Sequence, residues 1–542
     1  MGGGLLNLVS VGNQNVILNG NPQKTFFKST YKKYSNFGMQ KFRIDYNGIR
    51  ELRLSEDSVF NFKIPRYAEL LMDTYLVMNL PDIWSPIHPP REAGEKYTSE
   101  NWIPYEFKWI KNIGSMLIKE ITLTAGGTTL QRFTGEYLLA QANRDLNGSK
   151  KQLYDAMTGH TERLHSPDTY DNRQGVYPNA VYSSTTAGAE PSIRGQQLFI
   201  PLNFWFTMNS KQAFPLVSMQ YNELYINVTL RPVSDLFTIR DVTVPEYNYP
   251  RISPNFNVSE HQFHRFIQTP PETTINDVTK IATVEYGDLN TRWNADIHLI
   301  ANYCFLTDDE SRIFAGAEQK YLIKEIHEHN FTEVTGSKKV QLDSFGLVSS
   351  YMFLFQRNDV NLRNEWSNYT NWAYDSQPYK LYFTSDISAE LYHTGDYKTE
   401  NHKPILTNMS IVLDGDFREN TMTAGVYEYV EKYVRTPSSG LDPYGLYAYN
   451  FCINTDPFDT QPNGAINMSK FSKVELQFTT YVPTLDPSAS YQIICDPVSG
   501  AQIGVVKPSF VIYNYNYDLR VLEERYNVVT FIGGNVGLMN AR

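Results

Sequence analysis

Cysteine is scarce in this chain of 542 residues: only Cys304, Cys452 and Cys495, far apart and without CxxC spacing. That excludes a disulfide-stapled scaffold and a thiolate zinc module, and leaves buried free thiols in a reducing compartment as the expectation. No apolar run is long enough to cross a bilayer. The opening MGGGLLNLVSVGNQNVIL lacks a basic n-region, and Asn and Gln interrupt its apolar run, so it does not read as a signal peptide. A myristoylation motif at Gly2 wants Ser or Thr at position 6, where Leu6 stands. Synthesis and retention in the cytosol are expected.

Catalytic signatures are also missing. There is no GxxxxGK phosphate loop and no GxSxG elbow, and GGNVG near the C-terminus follows no dinucleotide fingerprint. His327 and His329 flank Glu328 and could share a strand face, but no third metal ligand stands nearby, and the segment closes an expected helix. A polar surface turn is the plainer reading there, and for His261 and His264. Asp414 with Asp416, and Asp456 with Asp459, form acidic turns without the Glu a calcium loop requires. No catalytic residue, metal or cofactor is therefore expected, and the chain does not read as an enzyme.

Acid is absent from one long stretch. The chain carries net charge −10, yet no Asp or Glu occurs before Asp45. Within residues 21–44 stand six bases: Lys24, Lys28, Lys32, Lys33, Lys41 and Arg43. Phe26, Phe27, Tyr31, Tyr34, Phe37 and Phe42 run between them. The remaining chain carries −16, the total less this segment's +6. Bases interleaved with rings suit three partners: a single-stranded nucleic acid, an anionic membrane surface, or acidic protein surfaces. The acidic remainder would repel a polyanion, which counts against direct nucleic-acid binding. Residues 1–27 resist a helix or strand assignment and read as an arm that orders on docking.

What is abundant is β-forming material, with 38 Tyr and 30 Phe. Period-2 alternation places Phe60, Phe62 and Ile64 on one face. It does the same for Leu224, Ile226, Val228 and Leu230, for Ala295 through Phe305, and for Val474, Leu476 and Phe478. Residues 118–133 read as a hairpin turning at Gly126–Gly127. Helices are few: a short one at 135–146, and a longer one running from Thr307 through Ile326, with Thr307 and Glu310 as a capping box. Irregular segments at 81–109, 147–196 and 234–280 are longer than loops without a role usually are. Many short strands indicate sandwiches or barrels. The division expected is an arm at 1–27, a first unit at 28–235, a linker and loop at 236–284, a second unit at 285–515, and a C-terminal segment at 516–542. No repeat is visible in the residues.

Several motifs in order resemble the major capsid proteins of nucleocytoplasmic large DNA viruses. The first runs from Gly3 to Leu6, then Asn21-Pro22, Thr25-Phe26-Phe27-Lys28, Tyr31 to Tyr34, and Asn36-Phe37. IPLNFWFTMNSKQAFPLVSMQYNELYINVTL, FLTDDESRIFAGAEQKYLIKEI and QPNGAINMSKFSKVEL follow, with Lys470 where the family usually has Arg. The closing YNVVTFIGGNVGLMNAR is looser than the family pattern. The resemblance touches both ends and both halves.

It implies an all-β fold of two tandem eight-stranded jelly rolls (a double jelly roll), with few helices and long surface loops. It further implies a homotrimer of pseudo-hexagonal outline, packed against neighbouring capsomers in an icosahedral virion shell and assembled in host cytoplasm. The arm would lie at the capsomer base, where Lys24, Phe26, Phe27, Lys28, Tyr31, Lys32, Lys33 and Tyr34 would meet minor capsid proteins or an internal viral membrane. Loops at 147–196 and about 435–465 would crown the outer face. Of seven Asn-x-Ser/Thr sequons, Asn147, Asn257, Asn368 and Asn408 are weak glycan candidates. A minor capsid or spike protein on the same fold, or a glycan-binding β-sandwich, are the rival readings.

Overall fold

A computed structural model describes residues 2–88, 103–180, 189–242, 251–270, 286–289, 293–372, 402–438, 440–483, 492–495, 502–506 and 515–540. Sixteen strands build two sandwiches. The first uses β1 (Phe37–Asp45), β2 (Ser58–Lys63), β3 (Leu70–Asn79), β4 (Ile118–Ala125), β5 (Thr128–Phe133), β6 (Gln197–Pro201), β7 (Leu224–Leu230) and β8 (His298–Leu306). The second uses β9 (Gln319–Phe331), β10 (Ser337–Leu342), β11 (Leu347–Arg357), β12 (Leu406–Leu413), β13 (Asp416–Thr423), β14 (Leu446–Asn450), β15 (Val474–Thr480) and β16 (Tyr517–Ile532).

The first sandwich pairs its strands in the orders β1-β8-β3-β6 and β2-β7-β4-β5. The second pairs β9-β16-β11-β14 and β10-β15-β12-β13. Subtract eight from each label and the two orders are the same. The repeat therefore lies in pairing, not in residue identity. It also moves the divisions. β8 lies beyond the expected boundary at 285 yet runs antiparallel to both β1 and β3 in the first sheet. β16 lies in the expected C-terminal segment yet is a central strand of the second sheet, flanked by β9 and β11.

Alternation places the first core. Phe60, Phe62 and Ile64 are buried, as are Leu224, Ile226, Val228 and Leu230. Along β8 the alternation holds from Ala295 to Tyr303 and fades at Phe305, which is 37% exposed at the sandwich end. β11 departs from alternation: all but one of the residues from Val348 to Arg357 are buried. Its sheet has two covered faces. Tyr351, Phe353 and Phe355 fill the second core. Met352 and Leu354 join the first core with Leu522 and Leu446. A strand covered on both sides loses the polar alternate positions.

Turns follow their residues. Gly126 and Gly127 both take positive φ (56° and 84°) between β4 and β5, the mirror-image turn that two glycines make easy. Asp414 and Gly415 do the same between β12 and β13, so that acidic pair is a hairpin turn.

Helices correct the sequence reading in several places. α1 (Gly3–Val9) and a single turn at Val16–Asn19 lie within the arm that resisted a helix assignment. α2 (Gly135–Asp145) is where expected. The segment 147–196 holds a further helix at Gly148–Thr158, capped by Asn147, rather than loop alone. α3 (Asp308–Gly316) stops ten residues short of Ile326, and Thr307 makes no side-chain cap bond. The apolar positions from Tyr321 to Ile326 fit a helix locally, but thirteen residues of β9 pair with β16 instead. His327 and His329 are thus strand residues.

The segment expected as linker is packed in its described parts. Phe237–Arg240 pairs with Lys108–Trp109 and with Arg251–Ile252, and Phe237, Phe263 and Phe266 are core residues. Residues 243–250 and 271–285 lie outside the described residues, as do 89–102 and 181–188 of the other expected loops and the side chain of Cys495. Likewise 435–465 is not loop throughout, since all of β14 is buried within it.

Candidate functional site

The arm stands clear of the body. Residues 20–36 form no regular element, and every described residue from 2 to 36 is exposed except the half-buried Asn15. Phe26, Phe27, Tyr31 and Tyr34 are 86–102% exposed. Lys24, Lys28, Lys32 and Lys33 stand among them, all exposed. The first strand begins only at Phe37, so Lys28, Lys32 and Lys33 belong to the arm and not to the first sandwich. In water such rings gain nothing from exposure. Burying one large apolar side chain contributes about 1.5–3 kcal/mol, and these four rings are left without that burial.

Beneath the arm, a buried polar lock joins the two halves of the body. α2 comes from the first half and all eleven of its residues are buried. Its Arg144 donates to Glu524 Oε1 on β16 (2.8 Å), to Asp145 Oδ2 (2.7 Å) and to Ser350 Oγ on β11 (3.0 Å). Tyr137 donates to Glu524 Oε1, Ser350 to Glu524 Oε2, and Thr455 to Asp145 Oδ1. Lys432 donates to Asn143 Oδ1 at 2.9 Å. Burial alone would raise the Glu524 carboxyl, but Arg144 and Lys324 outweigh it and hold the group down at about 2. Nearer the surface, Glu136 accepts from Arg231 of the first half and pairs with Arg520 of the second. Buried charges so partnered fix one arrangement of the halves, since any shift leaves a charge unpaired.

The residues weighed for metal chemistry are otherwise engaged. His329 lies 3.1 Å from Glu523, which Arg525 also contacts. His327 sits 3.6 Å from Glu325. His261 and His264 are buried, not surface-turn residues, and His261 lies 3.6 Å from Asp241. Asp456 and Asp459 accept backbone N–H bonds in local turns. Among the described residues no group of three metal-binding side chains converges, and no helix is long and apolar enough to cross a membrane. Cys304 and Cys452 are buried free thiols, and burial pushes both up.

The four sequon candidates separate by burial. Asn147 and Asn257 are exposed, and Asn408 is half-buried on the central strand β12. Asn368 is a correction. It is buried, donates to the Trp372 carbonyl and accepts from Thr370, so no glycan could be attached without unpacking it.

Comparison with known proteins decides the family. A profile described as "Major capsid protein N-terminus" matches residues 25–306, and one described as "Large eukaryotic DNA virus major capsid protein" matches residues 310–537. The chain belongs to the major capsid proteins of large eukaryotic DNA viruses. The family boundary near 306–310 coincides with the end of β8.

A major capsid protein of Phaeocystis pouchetii virus is 23% identical over 88% of this chain and 92% of that one. That of Chrysochromulina ericina virus is 27% identical over 63% of this chain, which spans only 55% of that longer protein. Among solved structures, a capsid chain of PBCV-1 aligns with TM-score 0.59 at 17% identity, covering 96% of this chain and all of the other. The Faustovirus major capsid protein aligns with TM-score 0.58 at 12% identity, over 93% and 92%. The fold is thus the double jelly roll. The family places the chain in the virion capsid, as a structural subunit among other capsid subunits.

The lock was missed at the sequence level. Arg144 and the run Glu523-Glu524-Arg525 are charged, and nothing in their local sequence marks them as buried. Only the pairing of β16 with β9 and β11 buries them.

Proposed function

We propose that three copies of this chain form a capsomer of pseudo-hexagonal outline, the brick of an icosahedral shell made in the host cytoplasm. The single observation that carries this is the repeated strand order, 1-8-3-6 and 2-7-4-5 in both halves. Two like units per chain, taken three times around a closed axis, give six like corners, so a trimer can tile as a hexagon. The lock at Arg144 and Glu524 supports the reading, because tiling needs the two units in one fixed relation.

The exposed arm is the part free to reach other components. Its four lysines and four rings suit acidic, partly apolar surfaces: minor capsid proteins, neighbouring capsomers, or an internal viral membrane. Direct contact with nucleic acid is not part of this role, and neither is catalysis. Light scattering with negative-stain imaging of the purified chain tests the proposal. Hexagonal trimers support it; a clean monomer at micromolar concentration contradicts it.

A further inference from the structure

We infer that the basic arm of one capsomer docks on the acidic, apolar margin around α3 of a copy in the next capsomer. The inference rests on the capsomer reading above and names the partner of its arm.

The margin is built where β1 begins and β8 ends. Phe37 lies opposite Leu306 and Met39 opposite Cys304, so these four side chains share the outer face of the first sheet. α3 follows β8 directly and covers part of that face. Its Phe314 packs with Leu70, Met72, Ala213, Cys304 and Leu306. The cover is incomplete. Phe37 and Met39 remain 58% and 56% exposed, and Ile313 is 67% exposed on α3 itself. α3 buries none of its own residues. The first sheet thus leaves an apolar border beside a helix that buries none of its residues.

Charge says what covers it. Asp308, Asp309 and Glu310 fill the first turn of α3. Glu310 and Glu69 also lie close enough to Cys304 to reinforce the effect of burial on its thiol. The bases nearby are few. Arg312 sits 3.9 Å from Asp309, and Lys320 pairs with Glu318. The complement is an exposed segment carrying bases and rings and no acid, which residues 21–36 supply.

A chain's own α3 lies at the root of its own arm, since Phe37 pairs with Leu306. The arm nevertheless leaves it, with its rings bare. Lys28, the outermost of the three lysines tested below, stands nine residues before Phe37, so an extended arm carries it about 30 Å from that root. That is less than the width of one unit, about 48 Å from a radius of gyration of about 18 Å for residues 37–306. The margin it meets therefore belongs to a copy that abuts this one edge to edge.

Two preparations of the full chain, one 15N-labelled and one unlabelled, are purified separately, mixed at low salt and treated with a carbodiimide, which joins Lys Nζ to a carboxylate. Peptide mass spectrometry should find mixed-isotope links from Lys28, Lys32 or Lys33 to Asp308, Asp309 or Glu310. Reversing the arm alone (Lys28→Glu, Lys32→Glu, Lys33→Glu), or α3 alone (Asp308→Lys, Asp309→Lys), should weaken self-association beyond the capsomer about tenfold, which is about 1.4 kcal/mol. Mixing the two reversed proteins should restore it, because each then offers the other a complementary pair. Links confined to a single isotope, or association indifferent to both reversals, would overturn the inference while leaving the capsomer intact. A monomeric wild-type chain would instead remove the capsomer reading itself.

Discussion

Arg144, at the end of α2 in the first jelly roll, donates to Glu524 on the central strand of the second at 2.8 Å, and both side chains are almost wholly buried. The bond spans 380 residues of sequence and ties the two rolls together. Removing one partner of a buried pair leaves the other charge stranded. Arg144→Met should therefore cost about 3–5 kcal/mol of unfolding free energy, measured by denaturant titration. A loss below about 1 kcal/mol, the range of exposed pairs, would mean the lock is not a structural bond.

Acid should loosen the fold in two stages. Burial, with His160 and Lys111 adding, pushes His165 from 6.5 down to about 3. A base held neutral in the folded state binds fewer protons than the unfolded chain, so its contribution is whole above pH 6.5 and is lost as pH falls towards 3. Glu524, lowered from 4.5 to about 2, contributes fully above pH 4.5 and loses that contribution below it. Stability should fall first between pH 6.5 and 4.5, then more steeply. His165→Phe, which keeps a ring against the stacked His160, should flatten the first stage and leave the second. A variant with the unchanged two-stage curve would show that His165 is not the upper group.

Gly135 opens α2 where the helix passes close to the preceding chain. A Cβ there would overlap the carbonyl oxygens of Ser115 and Ile118. Both are backbone atoms that cannot swing aside. Gly135→Ala should destabilise by about 1–3 kcal/mol, the usual cost of overpacking, despite alanine's better helix propensity. Thermal melting checks this; an unchanged or raised midpoint would contradict the close approach.

These sites differ in how far the sequence announces them. Phe60, Phe62 and Ile64, or Leu224 through Leu230, alternate because one strand face meets a core and the other meets water. The Gly126–Gly127 turn is legible because its φ values favour glycine. β9 was not legible: Tyr321 to Ile326 suit a helix locally, and a partner about 200 residues away makes them a strand. Nor was the lock, since Glu523, Glu524 and Arg525 look like any charged surface run until β9 and β11 close over them. The arm was legible as composition, six bases without an acid, but its boundary at Phe37 was not, because Lys41 and Arg43 continue the basic run into β1.

Deleting residues 1–27 should leave the body folded, with a melting temperature close to that of the full chain, because none of those described residues is buried. Association between capsomers should fall, more at low salt than at high, because at high salt screening has already weakened the charged part of the contact. Calorimetry and sedimentation read the two effects separately. A truncated chain that no longer trimerises would place the arm within the capsomer, and one that assembles normally would remove its docking role.

The central claim is that two like rolls, locked into one body, act in threes. Mass in solution tests it most directly, by light scattering across a concentration series with particle images from the same sample. The account predicts a stable species at three times the chain mass of 62.4 kDa, hexagonal in projection. A species at the single-chain mass that persists to micromolar concentration, or a dimer with two-fold images, would contradict it.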